Sequence, residues 1–214
     1  MNGHHLLGLL ATEHVPADLA DQVITCGPVA AAVGCPSQAG ATRQGLDHHA
    51  AVVAWCRRAA FLPARAGIPI APELLRAIAQ SAWCYRSTIE HLEGRVEISV
   101  DVERRDRARQ DGVAGGGRAY LRAAALDLNA CEVGLATAAS LLAMYAERAN
   151  ADLNARTAPL PAVRLRASIL VPRATAPRLA QQLDGVLNAI SARLVCRVTG
   201  PWPPYSFSTI REPT

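Results

Sequence analysis

The chain has 214 residues, half of them apolar, a formal net charge of +4 and no lysine, so all 22 basic residues are arginine. That length allows one large domain or two small ones, and the apolar share suffices for a core. The missing lysine excludes a Walker lysine on a phosphate and a Schiff-base lysine. The one dense basic run, Arg104, Arg105, Arg107 and Arg109, is interleaved with Asp101, Glu103, Asp106 and Asp111. Such a mixture is a solvated loop rather than a phosphate-binding stripe, and no nucleic-acid partner is expected. The six cysteines, at 26, 35, 56, 84, 131 and 196, form no CxxC pair. The first residues lack the basic and apolar regions of a signal peptide, so free thiols in a reducing cytoplasm are expected. No uncharged run reaches the roughly 18 residues of a membrane span. The nearest stretch, Ala119–Ala146, carries Arg122, Asp127 and Glu132, so a soluble protein with no membrane partner is expected.

His5–Ala11 is short, apolar and unbroken, the pattern of a buried strand, and Val23–Thr25 and Val29–Val33 flank Gly27-Pro28 as two more. Leu46, His49, Val53, Cys56 and Ala60 recur at helical spacing and predict an amphipathic helix over Gln44–Ala60, followed by an extended Phe61–Pro63. Pro72 suits a first helical position. Behind it Leu74, Ile78, Ala82, Tyr85, Ile89 and Leu92 form one face, stopped by Gly94. Over Arg95–Glu103, Val96, Ile98, Val100 and Val102 alternate with Glu97, Ser99, Asp101 and Glu103, which predicts a strand with one buried and one wet face. Arg104–Gly117 is polar and ends in glycines, a flexible connection. Arg118 to about Asn154 is expected as one long helix or a helical pair, in which Leu121, Leu128, Leu135 and Leu142 fall every seven residues, a stripe that wants a helical partner. Pro159 and Pro161 end that helix, Val163–Val171 alternates as a strand, Thr175 opens a helix with Leu179, Leu183, Val186 and Ile190, and Leu194, Cys196 and Val198 form a last strand. The expected fold is α+β (α/β-type) in two small domains, 1–94 and 95–214. The second is a ferredoxin-like variant with a long helical insertion at 118–154 and a proline-rich C-terminal arm.

The last strand runs into Thr199-Gly200-Pro201-Trp202-Pro203-Pro204-Tyr205-Ser206-Phe207. Three prolines in four residues fix φ and remove donors, so this stretch is expected in neither a helix nor a central ladder; it is a rigid turn or arm. The run resembles the closing motif of the gas vesicle protein F/L family. Upstream, His49-Ala-Ala-Val52 with Leu62-Pro63-Ala-Arg65-Ala-Gly67, and Gly117-Arg118-Ala-Tyr120-Leu121, are similar to further motifs of that family in the same order. Together they span most of 49–207. The chain departs from the pattern at Ala66, where the family usually has Phe, and at Ile68, where Thr is common. The resemblance implies a non-enzymatic α/β chain that binds the small hydrophobic shell protein of gas vesicles and other accessory proteins of the same cluster. It also implies a cytoplasmic, vesicle-associated place and a role in vesicle assembly.

Trp202, Pro203, Pro204, Tyr205 and Phe207 are the candidate partner-binding or anchoring residues. The rings either fill a gap in a core or form a hydrophobic hook. No catalytic residue, cofactor or metal site is expected. Adjacent His48 and His49 point about 100° apart on a helix, too far to share one metal. His49 lies on the apolar stripe as a histidine with a hydrogen-bonded partner, and a zinc site from Cys84, His91 and a remote residue has no spacing signal. Gly112–Gly117 lacks the strand, Lys and Ser/Thr of a P-loop and is a hinge. The rival function is a ferredoxin-like small-molecule-binding or enzymatic domain with a pocket between its sheet and the long helix.

Overall fold

A strand covered on both faces must be apolar along its whole length, and the computed structural model, which describes residues 4–35, 41–105, 116–158, 164–190 and 192–208, opens on one. Strand β1 (His5–Ala11) buries Leu6, Leu7, Leu9 and Leu10. It lies between β3 (Val29–Gly34) and β4 (Leu62–Pro63), with β2 (Val23–Cys26) outside β3, giving the antiparallel order β2-β3-β1-β4. The β2–β3 hairpin turns on Gly27-Pro28. Gly27 has φ 71°, the positive value these two-residue turns need at their first central residue. Where β1 meets β4 there is no room for a side chain: a Cβ on Gly8 would sit 2.4 Å from the Leu62 carbonyl oxygen and 2.5 Å from the Phe61 ring.

Helix α1 (Ala41–Cys56) lies against β1. Its inward face differs from the predicted one. Leu46 is 61 % exposed and Val52 and Trp55 are buried, while His49, Val53 and Cys56 of the expected stripe are half-buried, as are His48 and Ala51. The bulkiest side chain decides the rotation: Trp55 stacks on Phe61 with ring centres 5.7 Å apart and 11° between planes, which shifts the buried stripe to 48/52/55. The second helical stretch is as expected on its inward face, with Leu74, Ile78, Ala82, Tyr85, Ile89 and Leu92 all buried, but Ser81 divides it into α2 (Pro72–Gln80) and α3 (Ala82–Leu92). Gly94, at φ 66°, turns the chain out of α3.

The second half runs β5 (Arg95–Arg104), α4 (Gly116–Arg148), β6 (Asp152–Ala158), β7 (Arg164–Pro172), α5 (Ala176–Asn188) and β8 (Leu194–Trp202), with strand order β6-β7-β5-β8. That is the β-α-β-β-α-β arrangement of ferredoxin-like sheets. Strand β6 corrects the reading that carried the helix to Asn154. The helix ends at Arg148, Asn150 turns the chain at φ 48°, and Asp152–Ala158 pairs with β7 along its length. Pro159, Pro161 and Val163, and most of the Arg104–Gly117 connection, lie outside the described residues.

Val96, Ile98, Val100 and Val102 are buried as expected, but the opposite face of β5 is only partly exposed. Glu97 is 4 % exposed, and Asp101 accepts hydrogen bonds from Arg164 on β7, the Nε one at 2.7 Å. Glu103 faces Arg197 on β8 at 3.8 Å. A central strand has cross-strand neighbours on both sides, and here they are arginines set against its carboxylates.

Helix α4 is long and apolar enough to cross a membrane, with mean hydropathy 1.3, despite the charges counted against it. One face instead lies on β6 and β7, burying Cys131, Leu135, Ala138, Leu142 and Ala146. The leucine seam sinks progressively: Leu121 is 66 % exposed, Leu128 half-buried, Leu135 6 % and Leu142 0 % exposed. The partner this stripe wanted is thus a sheet over its second half. Asp127, 7 % exposed, takes a 2.9 Å hydrogen bond from Arg104 and sits 3.2 Å from Arg193.

The chain divides into two compact units, 1–96 with 202–214, and 97–201. The terminal segment from Trp202 therefore counts with the first unit, where the expected division at 94 had placed it in the second.

Two outcomes follow. Gly8→Ala drives a Cβ into backbone and a buried ring, and should lower stability by about 3 kcal/mol in urea unfolding; Gly27→Ala, with open space around it, tests the turn alone. The Arg164 guanidinium holds the Asp101 carboxyl below its ordinary pKa of 3.8. A lowered carboxyl stabilises the fold above its unfolded pKa and loses that contribution as pH falls through the folded one. The urea midpoint of Asp101→Asn should therefore trail the wild type above about pH 5, and the difference should shrink as the pH falls below the ordinary pKa of 3.8.

Candidate partner-binding surfaces

The proline-rich segment begins inside a strand. Strand β8 continues through Gly200 and Pro201 to Trp202, so the start of the run is extended and, as expected, in neither a helix nor a central ladder. It is an edge strand in the order β6-β7-β5-β8, the one place in a sheet where a residue without a donor is tolerated.

Beyond Trp202 the chain packs onto the first unit. Pro203 and Pro204 are buried, and Tyr205–Phe207 makes one 3₁₀ turn. The Tyr205 hydroxyl is hydrogen-bonded to His49 Nδ1 at 3.0 Å, and its half-buried ring lies against the core formed by Leu7, Leu10, Val52, Trp55 and Phe61. His49 thus has the hydrogen-bonded partner expected of it, supplied from 156 residues away. The Trp202 ring meets the His49 ring edge-on, centres 5.8 Å apart and 62° between planes. Trp202 is 40 % exposed and Phe207 half-buried. The five candidate residues are therefore brought together, with unequal parts: two prolines and Tyr205 in the packing, Trp202 partly exposed.

Further exposed apolar side chains lie on two faces of α4. Tyr120, Leu121, Leu126 and Val133 are 60 to 68 % exposed. Leu126 and Val133 stand seven residues apart and off the leucine seam, so a reading that followed the seam passed over them. Their signal in the sequence was plain: two large apolar residues on the face opposite the stripe.

The remaining candidates separate. His48 donates from Nε2 to the Ala64 carbonyl at 3.0 Å, Cys84 is exposed, and among the described residues no group of three His, Cys, Asp or Glu side chains could hold a metal. No disulfide joins any of the six cysteines; burial pushes the thiols of Cys26 and Cys196 up, away from the reactive thiolate. A cavity of about 680 Å³ exists, but its described lining comes from the first unit alone, with no residue from α4 or its sheet. The pocket that the rival function needed between that sheet and the long helix is thus not the one found.

The fold and sequence both have known counterparts. The crystal structure of gas vesicle protein GvpF from Anabaena sp. PCC7120 superposes with a TM-score of 0.67 at 16 % identity, covering 99 % of this chain and all of that one. GvpF from Microcystis aeruginosa gives 0.67 at 14 % identity, covering 98 % of this chain and all of its own. At such identities the likeness concerns the fold. No curated protein matches. The family model described as gas vesicle synthesis protein GvpL/GvpF matches residues 20–209. With nine-tenths of its length inside that match, the chain belongs to the GvpL/GvpF family of gas vesicle synthesis proteins.

Proposed function

We propose that this chain is a non-enzymatic accessory protein of gas vesicle assembly that binds the small hydrophobic shell protein, acting in the cytoplasm and at the vesicle. Other accessory proteins of the vesicle are its further partners. The observation that carries the reading is the state of Trp202. The residue is 40 % exposed, its ring is edge-on to that of His49 with centres 5.8 Å apart, and Pro203 and Pro204, next in the chain, are buried. An aromatic ring held in place offers contact area at little entropic cost, which is the character of interface anchors. A hydrophobic shell subunit is the partner such a ring suits. The exposed row on α4, led by Leu126 and Val133, is a second contact of the same chemistry.

The roles within the arm divide, and a capture experiment with tagged full-length chain and shell protein reads the division. Trp202→Ala should reduce captured shell protein about tenfold, with the unfolding midpoint nearly unchanged. Tyr205→Phe should lower stability by about 1 kcal/mol through the lost hydrogen bond to His49, with capture retained. The pair Pro203→Ala with Pro204→Ala should loosen the segment and weaken capture as well. Full capture by Trp202→Ala would sink the assignment.

A further inference from the structure

The cavity of about 680 Å³ serves no step of shell binding. It opens between the start of β1, the end of β3 and one side of α1 from Gln44 to Trp55. Small residues on α1 leave it unfilled: Gly45, where an added Cβ would meet open space, with Ala51 and Ala54. Its volume falls within the roughly 300–1,000 Å³ of small-molecule sites. Leu7, Leu19 and Trp55 give it an apolar body.

Beside the amides of Gln22 and Gln44, which can donate or accept, its lining carries imidazoles and carboxylates that can accept. His48 Nε2 faces the Ala64 carbonyl at 3.0 Å. A carbonyl only accepts, so the ring proton sits on Nε2 and Nδ1 keeps its lone pair. Burial, with His5 nearby, pushes the His48 pKa down and keeps the ring neutral. His5 lines the same cavity, and its Nδ1 is buried with no hydrogen-bond partner among the described residues. A rotation about its soft χ2 torsion can turn a ring nitrogen toward an occupant. Asp21 adds a carboxylate. The positive charge on the lining is already engaged, since Arg58 donates to both Asp18 oxygens at 2.6 and 2.7 Å. Asp47, also on the lining, is 3.3 Å from Arg43.

We propose that this cavity binds a small organic cation, an ammonium group on an apolar body, whose head is hydrogen-bonded by His5 and His48 and balanced by Asp21. The site is separate from Trp202 and does not depend on the shell-binding reading.

Calorimetry on the full chain at neutral pH tests it, with phenethylammonium as probe and 3-phenylpropionate as the anion of matched shape. Phenethylammonium should bind with a submillimolar Kd and shift the His5 and His48 Cε1–H resonances. The anion should bind at least tenfold more weakly. Asp21→Asn, a surface change that leaves packing alone, should weaken the cation about tenfold, and Ala51→Leu should fill the space and abolish binding with the fold retained by circular dichroism. Should Ala51→Leu fail to fold, Asp21→Asn and the two resonances decide. No cation binding, equal binding of the anion, or cation binding indifferent to Asp21→Asn overturns the proposal.

Discussion

The contact between Tyr205 and His49 closes a span of 156 residues, and the architecture depends on that closure. A flexible loop of this size costs about 4–5 kcal/mol in entropy by the logarithmic rule, more than the roughly 1 kcal/mol of one hydrogen bond. The sheet of the second unit reduces the difficulty. Strands β5 and β8 are hydrogen-bonded neighbours in an antiparallel sheet, so the chain leaves the first unit after Val96 and re-enters it at Trp202 along adjacent strands. Once that sheet is formed, the effective loop is short, and burial of Pro203, Pro204 and the Tyr205 ring holds the chain end in place. The second unit is in this sense an insertion, and the first unit has its full complement of packing only when the last residues are present.

Much of this was legible locally. The unbroken apolar run of β1, the Gly27-Pro28 turn, the spacing from Leu74 to Leu92 with Gly94 behind it, and the inward valines of β5 each follow from side-chain period and backbone chemistry. Strand β6 was hidden because Asp152-Leu-Asn-Ala-Arg-Thr-Ala158 has the composition of a helix tail, and its strand character comes from pairing with β7. The α1 face was misplaced because a count of apolar positions weighs Leu46 and Trp55 alike, whereas stacking on Phe61 gives Trp55 the inside. The β5 carboxylates were expected in water because their arginine partners lie up to 94 positions away in sequence.

The candidate site shows the same division. The stiffness of the closing run was visible in its prolines, but not its docking place, since nothing near residue 205 announces residue 49. Once docked, the run separates into a packed part and an exposed part, and only the exposed part can meet another protein. The same logic holds on α4, where the seam from Leu135 onward is consumed by the sheet and the chemistry available to a partner lies at Leu121, Leu126 and Val133. Membership of a gas vesicle synthesis family fits a chain whose conspicuous features are apolar surfaces.

The central claim is that the closing run faces two ways, inward at Tyr205 and outward at Trp202. Photo-crosslinking in cells that assemble vesicles reads both at once, with benzoylphenylalanine placed at position 202 in one strain and at position 205 in another. The account predicts an adduct between this chain and a vesicle protein from position 202, and only internal crosslinks from position 205. Adducts to a vesicle protein from 205 and none from 202 would contradict it.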